Sequence, residues 1–96
     1  MSVYTSIVSL AEISKWCIEN NANIDKCINV IEKNSTVFHL KKEMVVEAGI
    51  LTAKRKKIVH NWGMIDSLIY NTAQFYNLTV LTKDIHFKGL KDVELL

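Results

Sequence analysis

Three acidic residues, Glu12, Asp66 and Asp84, stand where apolar segments begin or end, the positions from which carboxylates reach a shared site. Glu12 follows Ser9 by three in Ser9-Leu10-Ala11-Glu12, directly after the β-branched and aromatic residues 3–8. Asp66 opens an amphipathic stretch, and Asp84 closes an apolar run ending in Leu81-Thr82. Converging carboxylates repel one another unless a cation lies between them. Ligands that are all oxygen suit Mg²⁺ or Mn²⁺ rather than zinc. Each acid also has a structural role open to it. Glu12 can be the reciprocal partner of Ser9 in a capping box. Asp66 can be a first-turn acid favoured by the helix dipole. Asp84 can bond its own backbone in a turn.

The elements that must bring these residues together follow from periodicity. Residues 64–76 place Ile65, Leu68, Ile69, Ala73 and Tyr76 on one helical stripe. Asn77 suits the left-handed residue that ends such a helix. Residues 78–82 read as a short strand buried on both faces. A helix runs antiparallel to the strand that follows it, so Asp66 and Asp84 are expected at one sheet edge. Upstream, residues 3–8 read as a strand, followed by a helix with Leu10, Ile13, Trp16 and Cys17 on one face. Residues 25–33 form a second helix with Ile24, Cys27, Ile28 and Ile31 inward, and residues 36–40 a second strand. Residues 41–57 form a longer helix with Met44, Val45, Ala48, Leu51 and Thr52 facing the core. Gly49 weakens it by roughly 1 kcal/mol relative to Ala, which predicts close packing against a neighbour. Residues 93–96 make a last strand after a turn at Lys88-Gly89. Alternating strands and helices predict a three-layer α/β/α arrangement with a short, mostly parallel sheet of about four strands. In such sheets ligands collect beyond the carboxyl ends of the strands, where all three acids are expected.

Composition narrows the classes. The 96 residues suffice for one domain with a single core, and 49% hydrophobic with 23% charged residues is ordinary for a globular chain. No apolar run approaches the ~20 residues that span a bilayer. No signal peptide is evident, and the reading is a cytoplasmic protein. Cys17 and Cys27 are too few for a disulfide framework and too widely spaced for a CxxC site, so two buried free thiols are expected. The net charge of +2 is small, but Lys54, Arg55, Lys56 and Lys57 form a basic run. That run is a candidate for phosphate contact, or simply a helix C-terminus that favours cations. His86 neighbours Asp84 and could carry protons or bind metal, although an exposed loop histidine is the favoured expectation. Thr82 is a candidate for orienting an acid by hydrogen bonding. Trp62 and Tyr76 are expected to be packing residues rather than base-stacking platforms.

Asp66-x-Leu68-Ile69, followed by Leu81-Thr82-x-Asp84-x-x-Phe87, resembles the C-terminal half of a PIN domain. Ser6-Ile7-Val8-Ser9-Leu10-Ala11-Glu12 is similar to that family's second strand running into the helix with its glutamate. PIN domains are metal-dependent ribonucleases and include the VapC-type toxins of toxin–antitoxin pairs. The resemblance implies that Glu12, Asp66 and Asp84 are catalytic residues and help hold Mg²⁺ or Mn²⁺. It also implies an RNA substrate, with Ser9 and Thr82 in support. The family begins with a further strand carrying another metal-site aspartate, lying mid-sheet between the counterparts of residues 3–8 and 78–82. No segment of this sequence matches it. The expectation is therefore an N-terminally incomplete PIN-like domain over residues 1–96, with weak or absent activity. The favoured explanation is that the missing strand is encoded upstream of Met1, and the open edges are expected to favour a homodimer. The alternative is an inactive PIN remnant that binds an antitoxin-like chain or itself.

Overall fold

A computed structural model describes residues 3–96 as a mixed α/β chain with four α-helices and short parallel strands. The chain divides into two compact units, one running through Leu40 and the other Lys41–Leu96.

The first unit contains β1 (Tyr4–Ser6), α1 (Ser9–Glu19), α2 (Ile24–Asn34) and β2 (Thr36–Phe38). β1 and β2 pair in parallel, with Tyr4 opposite Thr36 and Ser6 opposite Phe38. A parallel pair needs a crossover, which the two helices supply. The Tyr4 and Phe38 rings stack at 5.0 Å. α2 is capped by Asn23, whose side chain accepts from the Lys26 N–H. Its Ile24, Cys27, Ile28 and Ile31 are all half-buried while its other residues are exposed, as the periodicity predicted. On α1 only Cys17 is fully buried, and Trp16, expected inward, is 55% exposed. Cys17 and Cys27 are both free thiols, but only Cys17 is fully buried.

The second unit contains α3 (Lys42–Arg55), α4 (Met64–Phe75), β3 (Val80–Thr82), a 3₁₀ turn (Ile85–Phe87) and β4 (Val93–Leu95). α3 and α4 pack on each other, and β3 pairs with β4 in parallel. Its core is Trp62, Tyr70 and Phe87, with Leu51, Val59, Val80, Leu90 and Val93 around them. The Trp62 and Phe87 rings meet edge to face at 4.8 Å.

Four expectations are corrected here. On α4 the fully buried residues are Ser67, Tyr70 and Thr72, while the apolar stripe is only half-buried. Ser67 Oγ accepts from Trp62 Nε1 at 2.7 Å and shares a 2.7 Å bond with Thr52 Oγ1, so burying these hydroxyls leaves nothing unsatisfied. On α3 Met44, Ala48 and Thr52 are buried as expected, but Val45 is exposed. A Cβ built on Gly49 meets nothing within 4 Å, so no close neighbour explains that glycine. Leu81, expected inside a doubly buried strand, is 48% exposed.

Hydrogen bonds therefore join the described strands as two parallel pairs, β1–β2 and β3–β4. No further strand pairs with either sheet among the described residues.

Candidate functional site

Asp66 is the third residue of α4, and its local role is visible. Its Oδ2 accepts the Gly63 backbone N–H at 2.9 Å, satisfying one of the donors that a helix start leaves unpaired. Gly63 has no side chain to return the bond, so this is half of a reciprocal cap. Asp66 Oδ1 takes no part in it. α4 ends at Tyr76 and Asn77, whose φ of 56° lies in the left-handed region, as expected of that asparagine. The chain then turns into β3.

Asp84 lies two residues beyond β3. Thr82 Oγ1 accepts the Asp84 backbone N–H at 3.0 Å, so Thr82 fixes the start of the acidic loop rather than the carboxylate itself. Asp84 Oδ1 in turn accepts the His86 backbone N–H at 2.8 Å and caps the 3₁₀ turn. The His86 imidazole closes back on the same oxygen, with Nδ1 at 2.7 Å. His86, expected as an exposed loop histidine, is half-exposed and paired with Asp84. The contact engages Nδ1 and leaves Nε2 as the ring nitrogen that Asp84 does not hold.

A residue overlooked as a structural element holds this loop. Arg55, at the last turn of α3, donates from Nη2 to the His86 carbonyl at 2.6 Å and to the Lys88 carbonyl at 2.9 Å. Its guanidinium lies 4.7 Å from the Trp62 ring centre, in cation–π contact. Arg55 is a brace that ties residues 86–88 to α3. The basic run carried no sign of this, because the partners are backbone carbonyls far along the chain. Lys54, Lys56 and Lys57 are exposed.

Glu12 belongs to the first unit. It is exposed on the first turn of α1, where Val8 is the cap residue and no side chain caps the helix. Ser9 is already helical, so the expected Ser9–Glu12 capping box does not form. Glu12 is left without that structural role. Just upstream, Ser6 Oγ at the end of β1 is buried with no hydrogen-bond partner.

The donors of Glu12, Asp66 and Asp84 are of the kind that holds Mg²⁺ or Mn²⁺. In number they fall short, since no three His, Cys, Asp or Glu among the described residues gather into a group able to hold a metal. Within the second unit the sure pairing is Asp84 with His86. No helix of the described residues is long and apolar enough to cross a membrane. No protein-family model matches the chain, and no curated protein matches it.

Proposed function

We propose that the chain is a PIN-like ribonuclease of the VapC type, with an incomplete acidic site that hydrolyses RNA phosphodiesters weakly. The observation that carries this reading is the pairing of the strands. A PIN sheet without its central strand would leave two parallel pairs, and two separate parallel pairs, β1–β2 and β3–β4, are what supports the reading. The order of helices and strands agrees with it, as does an aspartate at each end of the α4–β3 unit.

Asp66 and Asp84 would hold Mg²⁺ or Mn²⁺ through the carboxylate oxygens not used in capping, and Glu12 is a ligand by the resemblance alone. When bound, the ion polarises a phosphodiester and lowers the pKa of a water. The chain's own residues do the positioning. Gly63 and His86 hold one oxygen of each aspartate, and Thr82 and Arg55 fix the loop that carries Asp84. His86 Nε2 is available to hold or pass a proton. The protein is expected to be cytoplasmic.

A second reading is an inactive remnant that acts by association with an antitoxin-like chain or a second copy. Two-stranded sheets with no further strand on either edge among the described residues favour it, as do the partly exposed Tyr4 and Leu81. RNA cleavage with Mn²⁺ titrated in separates the two. Slow cleavage lost in Asp66→Asn and in Asp84→Asn supports the nuclease, whereas no cleavage at any metal concentration supports the remnant.

A further inference from the structure

The first unit holds two thiols for which the nuclease reading has no use, and both stand at one end of a helical hairpin. α1 ends in a tight turn. Asn21 is left-handed, with a φ of 53°, and the Ala22 N–H donates back to the Cys17 carbonyl at 2.8 Å. α2 starts at once, with Asn23 as its cap. Cys17 is therefore in the last turn of α1 and Cys27 in the first turn of α2, on either side of the same short connection. The two helices pack on each other. Cys17 is the one fully buried residue of α1, and Cys27 lies on the half-buried row of α2. Their side chains meet there, the Cys27 thiol acting directly on that of Cys17. One sulfur of the pair is open to a reagent, and the other is shut away behind it. Two unrelated core cysteines would not have that asymmetry.

We propose that Cys17 and Cys27 form a reversible redox clasp, closed into a disulfide by exchange with a small-molecule disulfide of the glutathione class. The Cys27 thiolate, the accessible one, attacks a sulfur of that reagent, forming a mixed disulfide and releasing one small thiol. The Cys17 thiolate then attacks the Cys27 sulfur, and the second small thiol leaves. The reagent is reduced to two thiols and the protein dithiol is oxidised to one disulfide. The two protons lost by the protein end on the departing thiols. A packed hairpin favours the second step, because Cys17 is already beside the sulfur that it must attack. The closed clasp staples α1 to α2, the crossover that joins β1 to β2. It stands or falls independently of any nuclease activity.

The test incubates the full chain in buffers of reduced and oxidised glutathione over a series of ratios. Samples are quenched with acid, alkylated and weighed by mass spectrometry. The parent should pass from two alkylated thiols to none as the buffer becomes oxidising, with no lasting glutathione adduct, and reduced glutathione should reverse the change. In samples quenched early the transient adduct should map to Cys27. Cys17→Ala should hold a stable adduct at Cys27, whereas Cys27→Ser should leave the buried Cys17 unmodified. The early adduct on the parent makes the same point without a substitution in the core. The oxidised chain should melt about 10 °C above the reduced one, since the bond closes a loop in the unfolded ensemble.

Two alkylated thiols at every ratio, or a glutathione adduct that persists on the parent, would overturn the clasp. A disulfide that joins two chains on a non-reducing gel, a first adduct at Cys17, or an oxidised form that melts below the reduced one would overturn it equally.

Discussion

Arg55 is the residue on which most of the second unit's loop geometry depends. It makes two charge-assisted bonds to carbonyls and one ring contact. Bonds of this kind contribute about 1.5–3 kcal/mol when a charged donor is involved, less where water competes. Arg55→Ala is expected to cost about 2 kcal/mol in chemical denaturation. Arg55→Lys should recover little, because a point charge cannot span both carbonyls while lying on the indole. Ser67 makes a comparable case inside the core. Ser67→Ala leaves the Trp62 Nε1–H and the Thr52 hydroxyl without their shared partner, a loss of about 1–3 kcal/mol by the same measurement. Burial raises the Cys17 thiol above its ordinary pKa, with Cys27 beside it adding to the effect. Burial does the same to the Tyr70 phenol, aided by the charge of Asp92. Both groups ionise at lower pH in the unfolded chain than in the folded one. The folded state therefore binds more protons in the alkaline range. Stability is expected to be level through neutral pH and to fall as pH climbs past the ordinary thiol value of about 8.5 and then the phenol value of about 10. Melting temperatures measured across that range check the sign.

At the scale of elements, the helices were legible because caps and periodicity are local. Asn77 ends α4 in the left-handed conformation its residue type favours, and Asn23, not singled out in the sequence, caps α2 by accepting the Lys26 N–H with its side-chain oxygen. The strands were found but shrank to three residues each, since strand ends are set by pairing with a distant segment. The inward face of α4 was misread for a related reason. Apolar residues alone defined the expected stripe, yet Ser67 is buried because Trp62 and Thr52 lie where they do, and Thr72 because its hydroxyl bonds the Leu68 carbonyl. Ser9-x-x-Glu12 has the capping pattern, but the chain enters α1 through Val8 in a helical conformation, one residue too early for Ser9 to cap. The acids Asp66 and Asp84 were legible as positions. The Asp84–His86 pair and the Arg55 brace were not, because both depend on the path of the loop. Gly49 yields the prediction that belongs here. Its site is helical and a methyl group meets nothing, so Gly49→Ala should stabilise the chain by about 1 kcal/mol. A fall in stability on urea unfolding would mean that the space is taken by something the packing does not reveal.

At the scale of the molecule, two parallel strand pairs are a weak way to end a fold. Isolated two-stranded ladders are marginal in water, and unpaired edges recruit further strands. Tyr4 on β1 and Leu81 on β3 are also partly exposed. The chain is expected to sediment as a dimer at micromolar concentrations, and a monomer there would count against self-association through these edges.

Cleavage of RNA with Mn²⁺ titrated in, by the chain and its Asp66→Asn and Asp84→Asn variants, tests the central claim most directly. The account predicts slow, metal-dependent cutting by the parent and its loss in both variants, each of which keeps a side-chain oxygen for its capping bond. Cutting that survives both substitutions, or none from the parent at any metal concentration, would contradict it.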